Sequence, residues 1–210
     1  MTCVNGAPGG ARHAEGMRHT ALDIIHDEHQ ALAAMLRSLS LMLAQARREN
    51  MSPNFEVLRA MLFYVDEFPE KLHHPKESEL LFPKVRARCP ELAATLDRLD
   101  QDHARGEQAI RGLEHALLAY EVMGASRRDE FEKSVERYTR SYLEHMAVEE
   151  QQILPAARQH LSPADWAELD AAFVANQDPL AGHPAPPDFQ PVFNKILNLA
   201  PAPIGLGQSR

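Results

Sequence analysis

Apolar residues recur at three- and four-residue steps along most of this chain, and nowhere alternate at period two over the length of a strand. The first run, Leu22, Ile25, His29, Leu32, Leu36, Leu39 and Leu43, sets a histidine inside an apolar stripe and predicts a helix from Thr20 to about Arg47. Ser52 and Pro53 predict the next start, with the hydroxyl as cap and the proline in the first turn, where its missing N–H costs nothing. Phe55, Leu58, Leu62, Val65 and Phe68 carry that stripe on. Pro69 and Pro75 predict a kink or break in its second half, before Leu80, Leu81 and Val85 resume it. A third helix starts at Cys89–Pro90, carries Leu92, Leu96, Leu99, His103, Ile110, Leu113, Leu117 and Tyr120, and stops at Gly124. A fourth runs from about Asp129 through Phe131, Val135, Tyr138, Tyr142, His145, Ile153 and Leu154 to about Gln159. Four long amphipathic helices on short connections predict an all-α fold, an antiparallel up-down four-helix bundle.

The flanks divide the rest. Residues 1–18 have no apolar period and are expected to form a flexible leader ahead of the bundle at 19–160. Ser162–Pro163–Ala164–Asp165 opens a shorter helix with Trp166, Leu169 and Phe173, giving a segment 161–178. A Pro-rich tail, 179–210, holds one apolar stretch, Val192–Leu199, and is expected to lie on the body.

Charge and composition then exclude several functions. The balance of 22 basic against 30 acidic side chains argues against a nucleic-acid partner. No apolar run is long enough for a membrane span, and the N-terminus lacks the apolar stretch of a signal peptide. Two cysteines, Cys3 and Cys89, are too few for a disulfide framework or a thiolate site. A cytoplasmic, reduced setting is expected. The unusual count is eleven histidines.

Four of those histidines fall in an internal repeat. Asp27–Glu28–His29 corresponds to Gln101–Asp102–His103, and His73 to Pro83 corresponds to His145 to Pro155, with a Glu four residues after each leading His. Residues i and i+4 lie one above the other on a helix face. His73 with Glu77, and His145 with Glu149, therefore present an imidazole and a carboxylate side by side, while His29 and His103 point inward with their leucines. Unpaired carboxylates in an apolar core are very costly, and a pair of metal ions satisfies them. A single inward His is usually a hydrogen-bonded core residue, and a single His-x-x-x-Glu is often a surface pair. Six such residues in a two-fold repeat favour ligation. His13, His19, His115, His160 and His183 are expected at the surface or in loops.

At these residues the sequence resembles the hemerythrin-like, or HHE cation-binding, domain, over about residues 20–160. The most specific part is the doubled motif at His73–Pro83 and His145–Pro155. The resemblance implies an up-down bundle around a di-iron centre, with His29, His73, His103 and His145 as terminal ligands and Glu77 and Glu149 as bridges. Hemerythrins proper carry a fifth His on helix three, where this chain has Glu107. His74, beside the distorting Pro75, is the first candidate for a seventh ligand, followed by His26 and Glu107. Family members that repair iron–sulfur clusters have a cysteine-bearing N-terminal module, whereas here only Cys3 is present. The ferritin-like alternative needs two Glu-x-x-His motifs; Glu70–His73 fits one, and Tyr142 occupies the other's place.

Imidazole and carboxylate donors suit iron, and also zinc or manganese. The expected function is a non-haem di-iron protein that binds or senses O2, NO or peroxide or handles iron, with Leu32, Leu36, Leu62, Leu99, Leu113 and Leu143 as candidate lining. The alternatives are a di-iron enzyme (a nitric oxide or peroxide reductase, or cluster repair) and a zinc-bound structural bundle. The sequence names no protein partner and leaves a homo-oligomer open.

Overall fold

A computed structural model describes residues 19–207 of the protein; the expected leader, with Cys3 and His13, lies outside the described residues. Among the described residues the chain is all-helical, and no helix is long and apolar enough to cross a membrane.

Helix α1 spans Thr20–Arg48 in one piece and buries Ile25, His29, Leu32, Leu36, Leu39 and Leu43, as its stripe predicts. His19 at its N-terminus makes no side-chain cap bond. The Ala21 N–H instead donates to Asp170 Oδ1 at 2.7 Å, so a distant element satisfies one of the orphan donors of the first turn.

The second rod, residues 55–88, begins with α2 (Phe55–Val65). Its cap is Asn54 rather than the expected Ser52. The Asn54 side chain accepts from the Val57 N–H at 3.2 Å, and Pro53 precedes the helix instead of entering it. The expected break at Pro69 and Pro75 does not occur. The chain widens into a π-helical stretch, Asp66–His73, then a single turn His74–Lys76, a second π stretch Glu77–Leu81, and α3 (Phe82–Arg88). Proline cannot donate to the carbonyl four residues back. Bonds reaching five residues back, His74 N–H to Pro69 O and Phe82 N–H to Glu77 O, keep the rod continuous.

The third rod is a short turn, Pro90–Leu92, followed by α4 (Ala93–Met123), which ends at Gly124 with φ 78°. That backbone region costs a glycine little. The fourth comprises α5 (Arg128–Val148), a π stretch Glu149–Ile153, and α6 (Leu154–His160). Pro83 and Pro155 stand at the same distance after Glu77 and Glu149, and a π stretch starts on each of those glutamates.

The first rod lies against the second and fourth, and the third rod against the same two. Helix α7 (Pro163–Val174), opened by a Ser162/Asp165 capping box, packs along α1. Helix α8 (Gln190–Leu199) seats Phe193 on Tyr64 and Phe68, so the Pro-rich tail lies on the body.

The apolar core is divided. One cluster holds Leu32, Leu36, Leu62, Phe68, Ile110, Leu113, Tyr142 and Met146. The other holds Ile25, Leu81, Phe82, Leu99, Ile153, Trp166 and Phe173. Along every rod, the histidines and glutamates singled out from the sequence fall between the two clusters.

Candidate metal centre

All seven expected residues are buried and meet in that dividing layer: His29 and His103 from the first and third rods, His73, His74 and Glu77 from the second, His145 and Glu149 from the fourth. Donor atoms of His74, Glu77, His103 and His145 lie within 4.8 Å of one another, as do those of His29, His73 and Glu77. Glu77 belongs to both groups. Glu149 also faces both ways, with Oε1 3.1 Å from His145 Nε2 and Oε2 3.4 Å from His29 Nε2.

The remaining seventh-ligand candidates point away. His26 is exposed and bonded to Gln30, and Glu107 is exposed and bonded to Arg111. His74 lies in the buried layer, its donor atom grouped with those of Glu77, His103 and His145. Its Nδ1 donates to Glu70 Oε2 at 3.1 Å, and its ring stacks on that of His103 at 4.3 Å. His19 stacks on Trp166, His115 and His160 are exposed, and His183 is half-buried in the loop after α7.

The imidazoles share one orientation rule. Each Nδ1 faces outward: His73 donates to Glu28 Oε2 at 2.6 Å and His29 to Glu150 Oε1 at 3.2 Å, and His103 Nδ1 shares a hydrogen bond with the Ser78 hydroxyl at 2.8 Å. His145 Nδ1 looks toward Asp102 Oδ2 at 3.8 Å. In four of the five rings, Nε2 therefore points at the glutamates. His73 Nε2 is 3.2 Å from Glu77 Oε2, and His103 Nε2 is 3.5 Å from the same oxygen. A hydrogen bond that fixes the tautomer and aim of the far nitrogen is the usual support of a metal-ligating histidine.

These outer partners were not read from the sequence, although the repeat contains them. Glu28 and Asp102 each precede the first-helix His, and Ser78 and Glu150 each follow the Glu. Glu70 is the other addition. It is buried, accepts from the hydroxyls of Tyr138 (2.8 Å) and Tyr142, and burial holds its carboxyl above the usual range. A Cβ on Gly106 would collide with the Tyr142 hydroxyl, so only glycine permits that approach.

The donor set fits a cation pair. All four oxygens of Glu77 and Glu149, and Nε2 of His29 and His73, are buried with no hydrogen-bond partner. Orphaned polar atoms at this density are rare in folded proteins and call for an ion. His103 Nε2 and His145 Nε2 face each other at 2.9 Å, about the spacing of two nitrogens that meet one ion at ~2.1 Å and at right angles. Electrostatics agree. Burial, and next Glu77, push the Glu149 carboxyl up. Burial drives His74 and His103 well below the ordinary imidazole value. At His73 burial also opposes the charge, but Glu77 and Glu28 outweigh it and hold the ring well above that value.

Beside His29, His73 and His74 lies a cavity of about 10 Å³, walled by Leu32, Phe68, Pro69, Leu72 and Met146 and by Glu28, Asn176 and Asp178. Of the leucines expected as lining, only Leu32 reaches it. Leu36, Leu62 and Leu113 sit in one core cluster and Leu99 in the other, each a helical turn or more from the histidine layer, while Leu143, only two residues from His145, projects from a different face of its helix and packs against the first cluster.

No curated protein matches the chain. The sequence profile of the hemerythrin HHE cation binding domain matches residues 20–157, well over half its length. The family is one of cation-binding domains, the chain carries a buried His/Glu cluster able to hold a metal ion, and it belongs to the hemerythrin HHE cation-binding domain family.

Proposed function

We propose that this protein holds two iron ions between Glu77 and Glu149 and uses them to bind or sense a small oxidant, O2, NO or peroxide. The observation that carries the reading is the pair of buried glutamates whose four oxygens lack any hydrogen-bond partner and face imidazoles on both sides. The proposed frame is an antiparallel four-helix bundle with a two-fold internal repeat. It is supported by the first and third rods passing from the Ile25–Leu99 cluster to the Leu32–Ile110 cluster while the second and fourth pass the other way.

A reducible ion pair would supply a coordination position at which a diatomic molecule or peroxide can bind. His74, His103 and His145 would hold one ion, and His29 and His73 the other, with Glu77 and Glu149 shared. The residues themselves do the rest. Glu28, Glu70 and Glu150 keep the Nδ1 protons on the outer side of three rings, so that each Nε2 presents a lone pair inward, and Ser78 holds the Nδ1 edge of His103. Leu32, Phe68, Pro69 and Met146 exclude bulk water on the side of the two-imidazole group. The cavity there has room for on the order of one water-sized molecule, which suits a diatomic ligand and excludes an organic substrate.

The test is metal analysis with optical spectra of anaerobically purified protein, before and after air. Two irons per chain and a new absorption band on oxidation are expected. Protein from iron-replete cells that holds no iron overturns the reading, and zinc in its place favours a structural role.

A further inference from the structure

The family match ends at residue 157, yet the site does not. The turn that follows α7 carries Asn176 and Asp178, both 4% exposed, and both line the cavity beside His29 and His73. Gln177 between them has φ 46°, a region that non-glycine residues seldom occupy and that needs surrounding contacts to hold it. Those contacts are present on both sides. Asp178 Oδ2 accepts from the Tyr64 hydroxyl at 2.7 Å and its Oδ1 accepts from the Leu180 N–H at 2.8 Å. The Lys76 ammonium donates to Asn176 Oδ1, which turns the amide nitrogen the other way, where it donates to Glu28 Oε2 at 3.0 Å. That same carboxylate oxygen receives the His73 Nδ1 proton at 2.6 Å.

The repeat supplies an internal control. Asp102 stands where Glu28 stands in the other half, and it faces His145 Nδ1 at 3.8 Å rather than 2.6 Å. Asp102 is one methylene shorter and its side chain is 26% exposed, against 7% for Glu28. Glu28 is the carboxylate held by an amide; hydrogen bonds from two sides leave it one position.

We infer that Asn176 is a positioning residue for His73: its amide fixes the Glu28 carboxylate, which fixes the ring, so the segment after the bundle is a built part of the metal centre. Helix α7 is the arm that delivers it, anchored on α1 by Asp170 at the Ala21 N–H and on the second rod by Phe173 against the His73 ring, centroids 5.9 Å apart. The inference rests on the reading of His73 as a metal ligand.

Full-length protein, Asn176→Asp and Asn176→Leu are to be compared by anaerobic calorimetric titration with Fe(II), together with melting of each metal-free form. Asn176→Asp keeps the shape and the lysine contact but loses the donor; Asn176→Leu loses both polar contacts. Loss of a group that supports a ligand costs about 10–100-fold in metal affinity. That loss is expected in both variants for one of the two Fe(II) sites, with the other unchanged. A wild-type protein without two Fe(II) sites overturns the metal reading itself. Two wild-type sites that both variants retain at full affinity overturn the role of Asn176. Equal weakening of both sites, with lowered melting of the metal-free forms, makes it a packing residue and overturns the role as well.

Discussion

Glu70 and His74 in the first half of the chain stand where the second half has Tyr142 and Met146. The four residues remain close but have exchanged tasks. Tyr142 donates to Glu70, Glu70 holds His74, and His74 completes a group of three imidazoles with His103 and His145. Met146 brings no ring inward and walls the cavity beside His29, His73 and His74. Two changed positions thus turn a symmetric scaffold into one crowded end and one end with room. The lesson is that the number of imidazoles gathered at each end of such a repeat is set by which half supplies an extra inward ring.

The largest effect is expected where the halves share ligands. Glu149→Ala should lower bound iron from about two per chain to one or none and remove the oxidised absorption band. It should also lower the melting temperature, since an ion at a hundredfold excess over its Kd stabilises the folded state by about 2.7 kcal/mol. Two irons with unchanged spectrum and melting would remove the shared carboxylate and the comparison with it. The next effect separates the ends. His74→Ala should release one ion more readily than the other, while Met146→Ala should keep both ions and speed oxidation in air by opening the cavity wall. Metal titration and the rate of spectral change read these two outcomes. If both variants behave alike, the ends are equivalent.

Gly106→Ala should cost about 1–3 kcal/mol in urea unfolding, because the new methyl overlaps the Tyr142 hydroxyl and forces it off Glu70. The ion held by His74 should weaken with it, and the other should not. The smallest effect is in protons. The His73 ring is held above its ordinary pKa by Glu77 and Glu28 against its burial, so it carries a proton near neutral pH in metal-free protein. A ligand must be neutral to bind. Metal binding near pH 7 should release protons, and occupancy should fall as pH is lowered. Calorimetry in buffers of different ionisation enthalpy measures this, and binding without proton release would place His73 outside the site.

Four rods and six of the seven converging residues were legible because both depend on repeating intervals. Ile25, His29, Leu32 and Leu36 follow one stripe, so the histidine inherits the inward direction of its apolar neighbours, and His-x-x-x-Glu names a helix face. The aim of His74 was less legible, since it follows from π stretches through which the second rod absorbs Pro69 and Pro75 instead of breaking. Glu28, Ser78 and Glu150 sit next to His29, Glu77 and Glu149 in sequence, where a helix turns a side chain toward a neighbouring rod that the stripe does not describe. Asn176 lies beyond every repeat and every period, and only the docking of α7 brings it to Glu28. Asn54 displaced Ser52 as cap for a local reason, the competition of two suitable side chains around one proline.

The divided core bears on how the molecule opens. A layer of histidines and glutamates separates two apolar clusters, so little dispersion or hydrophobic contact passes directly from one to the other. With cations in the layer, the four rods are tied at mid-height and the clusters must open together. Without them, the layer is a plane of buried imidazoles and carboxylates with orphaned donor atoms, and each cluster becomes its own cooperative unit. Amide exchange in metal-free protein would then show two protection levels, one for Ile25, Leu99 and Ile153 and another for Leu36, Leu62 and Ile110, merging into one when metal is restored.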